Sequence, residues 1–211
     1  MELISVKQAR ENIGGLSDTS KLPCKSFGIS AYRCKVGSEL RKINGSICSK
    51  CYALKGQYVI GPVPNAHAAR HAVLYRKDWC DNMVISINDA PWFRWFDSGD
   101  IQSLRMLRNI VIVAERTPNT KHWLPTKESA IVAAYLKKHG AFPDNLIVRV
   151  SAPMIDGPAP KRFEFTSTAH QDKAPIGFEC TAPQTKNKCE DCRACWDRSV
   201  KNVSYKMHWR S

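Results

Sequence analysis

The sequence predicts an α/β protein: a partial barrel or open parallel sheet of strand–helix units, flanked by cysteine-rich metal-binding segments. Three observations point there. Short apolar or aromatic runs alternate with helical patterns through the middle of the chain, as in parallel strands joined by helices. Eight of the nine cysteines fall in two groups of four, one in the first quarter and one in the last 32 residues, with Cys80 alone between. No apolar run approaches the ~20 residues of a membrane helix. At 211 residues and 43% hydrophobic, the chain can bury one core of ordinary size. It reads as a single domain over 1–211, with an N-terminal cysteine-rich segment (1–64), an α/β middle (65–170) and a C-terminal cysteine-rich segment (171–211).

The N-terminal group is Cys24-x9-Cys34-x13-Cys48-x2-Cys51. The last pair alone has a tight spacing; Cys24 and Cys34 come in from loops, which Gly28, Gly37 and Gly45 permit. No signal peptide is predicted from residues 1–15, so the expected location is the cytoplasm. Thiols stay reduced there, and an odd cysteine count argues for metal binding or chemistry over disulfides.

In the middle, residues 65–82 read as one helix capped by Asn65. His67 and His71 lie four apart on it, a spacing that can hold a metal but more often serves packing. Cys80, beside Trp79 and Met83, reads as a buried, inert thiol. Trp92 to Phe96 is an aromatic strand, ending at Asp97-Ser98-Gly99-Asp100. A helix from Ile101 to about Glu115 follows, burying Ile101, Leu104, Leu107 and Val111. Lys121 to Pro125 is a second strand. Thr126 caps a helix over 127–139, with Glu128 in its first turn and Gly140 as its stop. Leu146 to Val150 is a third strand and Phe163 to Thr166 a fourth.

In parallel sheets, chemistry gathers at the carboxyl ends of the strands. Those ends carry Asp97, Asp100, Lys127 and Glu128 as candidate proton-transfer groups or substrate anchors. Ser98, Thr126 and Ser151 are the candidate cofactor contacts. The local alternative is that Asp97, Asp100 and Thr126 cap helices and Glu128 complements a helix dipole.

The C-terminal group, Cys180-x8-Cys189-x2-Cys192-x2-Cys195, is the sharper signal. Three cysteines at two-residue gaps resemble a ferredoxin-type run for a 4Fe-4S cluster. Zinc usually takes one such pair from each of two turns, and it stays open as the alternative cofactor. One cluster or two are compatible with the spacing, and a thioredoxin-type pair is disfavoured by the extra cysteines. The 32 Lys and Arg against 19 Asp and Glu give +13, which favours nucleic acid or a nucleotide as partner. Trp92, Trp95, Trp196 and Trp209 are candidate stacking groups, and the basic tail from Lys201 to Arg210, with Tyr205 and His208, suits phosphate contact.

Four segments together resemble the bacteriophage gene-product-88 family. They are Cys48-Ser-Lys-Cys-Tyr-Ala-Leu-Lys-Gly56, Trp95-Phe-Asp-Ser-Gly-Asp100, Trp123-Leu-Pro-Thr-Lys-Glu128 and Cys189-x2-Cys192-x2-Cys195-Trp196. The likeness spans roughly Cys24 to Trp196. It implies a phage or prophage protein acting in the bacterial host cytoplasm, and it supplies no reaction. A more distant resemblance is to radical S-adenosylmethionine enzymes, whose partial barrel carries a cluster at one end and sometimes another after it. Their Cys-x3-Cys-x2-Cys run is absent; the nearest segment is Cys34-x13-Cys48-x2-Cys51. That resemblance implies one open iron, so it requires Cys24 to stay out of the first group. Two expectations result: an iron–sulfur protein, redox-active or of the radical type, and a zinc-stapled nucleic-acid-binding protein without catalysis.

Overall fold

A computed structural model describes residues 4–207. Seven parallel strands form one open sheet: β1 (Ser26–Phe27), β2 (Trp92–Trp95), β3 (Lys121–Thr126), β4 (Leu146–Ile155), β5 (Thr166–His170), β6 (Phe178–Glu179) and β7 (Asn202–Lys206), in the order β1-β2-β3-β4-β5-β7-β6. Every pairing between these strands is parallel, with antiparallel single bridges only at Ser17–Ser26 and Ser46–Met154 among the described residues. The expected α/β class and the open parallel sheet are therefore found. Among the described residues no helix is long and apolar enough to cross a membrane.

The helices are α1 (Val6–Asn12), α2 (Val36–Leu40), α3 (Val63–Val73), α4 (Trp79–Ile87), α5 (Leu104–Arg116) and α6 (Ser129–His139). Neighbours α1 and α4, α4 and α5, and α5 and α6 pack in a row. Their apolar stripes meet one face of the sheet. Trp79, Met83, Met106, Leu107, Ile110 and Val132 share a buried core with Phe27, Phe93, Trp95, Leu124, Leu146, Val148 and Val150. Alternation along each strand sends the intervening residues to the opposite face. There Trp123 packs edge-on against Trp196, ring centroids 5.1 Å apart, and Arg149 reaches the carbonyls of Ala194, Cys195 and Asp197. The C-terminal cysteine segment thus packs on the face opposite those helices.

Several sequence expectations change. The helix expected over 65–82 is two helices. It starts earlier, with Pro64 in the first turn, where a missing N–H costs nothing. It breaks at 74–78, where Arg76 donates two hydrogen bonds to the Asp78 carboxylate and Asp78 opens α4. His67 stacks on Tyr58, and His71 faces Arg33, so the pair serves two different neighbours. Cys80 is half-buried at the start of α4, its Sγ 3.8 Å from the Asn109 carbonyl. Ile101 precedes α5, which Ser103 caps by accepting from the Met106 N–H.

The fourth strand lies at 166–170 rather than 163–166. Phe165 instead sits under the cations of Arg149, Arg198 and Lys201. The tail read as a phosphate-contacting segment contains β7, an interior strand between β5 and β6 with Asn202, Val203 and Ser204 buried. Trp95 and Trp196 are buried, so neither presents a ring for stacking on a base. Trp92 packs against Trp196. Trp209 and His208 lie outside the described residues.

Candidate functional site

The site is built at the carboxyl ends of β2, β3 and β4. After β2 the chain turns sharply, with Phe96 at φ 52° and Gly99 at φ 79°. The turn is pressed against the segment after β1. A Cβ on Gly28 would fall 2.5 Å from Asp97 Oδ1, and one on Gly99 would fall 2.5 Å from Ile29 Cγ1. Glycine at both positions lets the Asp97–Asp100 run lie directly on β1.

Asp97 and Asp100 are both buried. Asp97 accepts from the Ser26 hydroxyl at 3.0 Å, and its backbone carbonyl accepts from Tyr52 Oη at 2.7 Å. Asp100 Oδ1 accepts from Thr126 Oγ1 (2.6 Å) and the Ile101 N–H (2.8 Å), and Oδ2 accepts from the Lys127 N–H (2.8 Å). Burial pushes the Asp100 carboxyl up to about 6, against the pull of those three donors. Thr126 accepts in turn from the Glu128 N–H. It stands ahead of α6, which starts at Ser129, so Lys127 and Glu128 belong to the turn and not to the helix. Glu128 is buried and accepts from the Val36 N–H at 2.9 Å, tying the strand end to the helix after Cys34. Lys127 Nζ donates to the Ala152 carbonyl at 3.1 Å. Ser98 Oγ is buried with no partner among the described residues, and Ser151 Oγ pairs with Ser167 Oγ at 2.9 Å.

Over this end lies the first thiol group. A Cβ on Gly37 would stand 3.0 Å from Cys34 Cβ, 3.6 Å from Cys48 Sγ and 3.7 Å from Cys34 Sγ, so glycine lets the backbone pack closely against both cysteines. Burial pushes the Cys34 thiol up, and the negative groups of Asp100, Cys51, Cys48 and Glu128 add to it. Burial likewise raises Cys48, with Lys127 opposing. Burial lowers Lys127, while Cys48, Asp100, Cys51 and Cys34 hold its proton on. Cys34, Cys48 and Cys51 are thus electrostatic neighbours of one another, of Asp100 and of Lys127.

Cys24 is elsewhere. Burial pushes it up to about 12, and the groups around it are Arg94, Cys189 and Arg193. The Cys189 N–H donates to the Lys21 carbonyl at 3.0 Å, bringing the two chain ends together. Cys180, Cys189, Cys192 and Cys195 line one small recess with Phe178, Trp196 and Val203. Cys195 Sγ lies 3.4 Å from Tyr205 Oη. Sequence order groups the eight cysteines four and four; in space Cys24 stands apart from Cys34, Cys48 and Cys51 and near Cys189. Among the described residues, no set of three or more His, Cys, Asp or Glu side chains is arranged to hold a single metal ion.

Sequence reasoning missed three contributors. Tyr52 and Arg94 lie between the two thiol groups, Arg94 facing Tyr52, Asp97, Tyr205 and Tyr58 and stacking on Trp123 at 4.5 Å. Arg94's place on the strand face opposite Phe93 and Trp95 was the available signal. Arg149 is the third, a wholly buried cation in an otherwise apolar strand.

The sequence model of gene product 88 matches residues 5–198. The chain belongs to the gene product 88 family. The match takes in both thiol groups of this family member and every strand but β7. No curated protein and no solved structure matches it. Family membership carries no reaction with it, so the gene product 88 chain is read from its own geometry.

Proposed function

We propose that the protein binds iron–sulfur clusters, with a three-thiol site at Cys34, Cys48 and Cys51 and a second, fully ligated site on Cys180, Cys189, Cys192 and Cys195. The observation that carries the reading is the placement of Cys24 beside Cys189, which leaves three thiols, not four, over the strand ends. The donor set suits a cluster better than a single ion. Zinc needs its thiolates about 2.3 Å from one point, whereas a cluster takes each thiolate on a separate iron. Glycine at position 37 lets the backbone lie close to Cys34 and Cys48, and Lys127 stands beside the same thiols.

Bound there, a cluster with one open iron supplies single electrons and a coordination position, which S-adenosylmethionine fits as cosubstrate. The chain's residues do the rest. Lys127 places a cation beside Cys48 and Cys51, which favours a negatively charged centre. Asp100 and Glu128 act as positioning residues: one holds the Thr126–Lys127 turn, the other holds the helix after Cys34. Asp97 fixes the Tyr52 hydroxyl over the same end. Both thiol groups would work in the reducing cytoplasm of a bacterial host, where such thiols stay free to bind.

The test is iron and sulfide content, with a visible spectrum, on protein purified without oxygen. About eight irons fit two 4Fe-4S clusters and about four fit one. Cys34→Ser is expected to remove one cluster, Cys192→Ser the other and Cys24→Ser neither. Addition of S-adenosylmethionine should change the spectrum of the cluster lost in Cys34→Ser. Zinc without iron would overturn the reading and leave a zinc-stapled binding protein.

A further inference from the structure

Residues 31–77 hold nine Lys and Arg against one Glu, more than half of the whole chain's net charge of +13. Several of these cations share one surface. Arg33 and Lys35 flank Cys34 and are exposed. Arg33 faces His71, and Lys35 Nζ reaches the Gln102 carbonyl at 2.8 Å. Next to Gln102, Ser103 Oγ lies 3.0 Å from Tyr75 Oη, and Arg105 lies over the Tyr75 ring at 5.3 Å. On the other flank Arg41 lies over the Tyr32 ring at 5.7 Å. Among the described residues, Arg33, Lys35, Arg41 and Arg105 form no ion pair with a carboxylate. Tyr32 is 63% exposed and Tyr75 39%.

We infer that this surface binds single-stranded nucleic acid. Cations without carboxylate partners meet phosphates, and each exposed ring already carries a guanidinium on its flank, leaving the rest of its surface for a base. Rings and cations interleaved on an open surface fit an unpaired strand, whose bases are free to stack; in a duplex those faces are hidden. The same surface borders the three-thiol group through Cys34. It is independent of whether those thiols hold a cluster, because none of its contacts runs through a sulfur.

The experiment is the anisotropy of a fluorescein-labelled oligothymidylate titrated with full-length protein at several salt concentrations. The triple variant Arg33→Ala/Lys35→Ala/Arg105→Ala should lower the slope of log affinity against log salt by about 2, three contacts at ~0.7 each. The double variant Tyr32→Ala/Tyr75→Ala should weaken binding by roughly tenfold or more with the slope kept. Lys137→Ala/Lys138→Ala, at the far end of α6, should change neither. An unchanged thermal midpoint in each variant confirms that it folds. Absence of binding at low salt, or an unchanged slope in the triple variant, overturns the inference. So does tighter binding to phosphatidylserine vesicles that the same triple variant abolishes, which assigns the surface to a membrane.

Discussion

Arg149 shows how one residue decides where a cysteine segment goes. Its guanidinium is fully buried and, among the described residues, forms no ion pair; it donates to the carbonyls of Ala194, Cys195, Asp197, Thr166 and Lys201. A planar fork with five donors suits that ring of carbonyls. Arg149→Met is expected to cost about 2–4 kcal/mol, because the carbonyls are left short of partners in the interior. Arg149→Lys should recover little, and the urea midpoint measures both. Limited proteolysis of Arg149→Met should cut first in 186–198. His122 is the second informative residue. It is buried on β3 with Nε2 2.8 Å from Thr117 Oγ1, and burial pushes it down to about 3. The unfolded chain takes up a proton near 6.5 and the folded one does not. Stability is therefore full above pH 6.5 and falls by up to ~1.4 kcal/mol per unit as the pH drops toward 3. Denaturant midpoints taken from pH 8 to 4 should show that fall, and His122→Gln should flatten it.

At the scale of elements, the strand ends depend on close backbone approach. Gly99→Ala adds a methyl 2.5 Å from Ile29 Cγ1 and 2.7 Å from its carbonyl oxygen, on a backbone at φ 79°. Gly140 has a similar φ of 82° but open space around it. Gly140→Ala should cost about 1 kcal/mol and Gly99→Ala roughly 2–4. Thermal midpoints of the two variants separate strain from collision. β2, β3 and the first half of β4 were legible in the sequence because β-branched or aromatic runs stand between turn residues. α5 and α6 were legible from their apolar faces. β1 and β6 were not, since two residues carry no period. β7 was hidden by Lys201 and Lys206 at its two ends, although Asn202 and Ser204 alternate with Val203 and Tyr205 as a strand requires. Asp97, Asp100, Lys127 and Glu128 were found because they follow strands, but the partners of Asp97 and Glu128, Ser26 and Val36, lie 71 and 92 residues away in sequence. No local pattern encodes such partners.

At the scale of the whole molecule, the two ends of the chain are interlocked. Cys24 stands near Cys189, and β7 joins β5 to β6. Spacing located the thiols, but only the fold shows that Cys24 lies near Cys189 rather than near Cys34, Cys48 and Cys51. A chain ending at Val200 removes an interior strand and is expected to lose cooperative unfolding, as near-ultraviolet circular dichroism would report. A tail that merely carried charge would leave the transition intact. The sheet's outermost strands, β1 and β6, are two residues each, and the chain just before β1 and just after β6 carries the cysteines Cys24 and Cys180. Short borders of this kind offer little backbone for another chain to pair with. Were either border displaced, the longer neighbours β2 and β7 would present unpaired ladders, the route by which sheets join edge to edge between molecules.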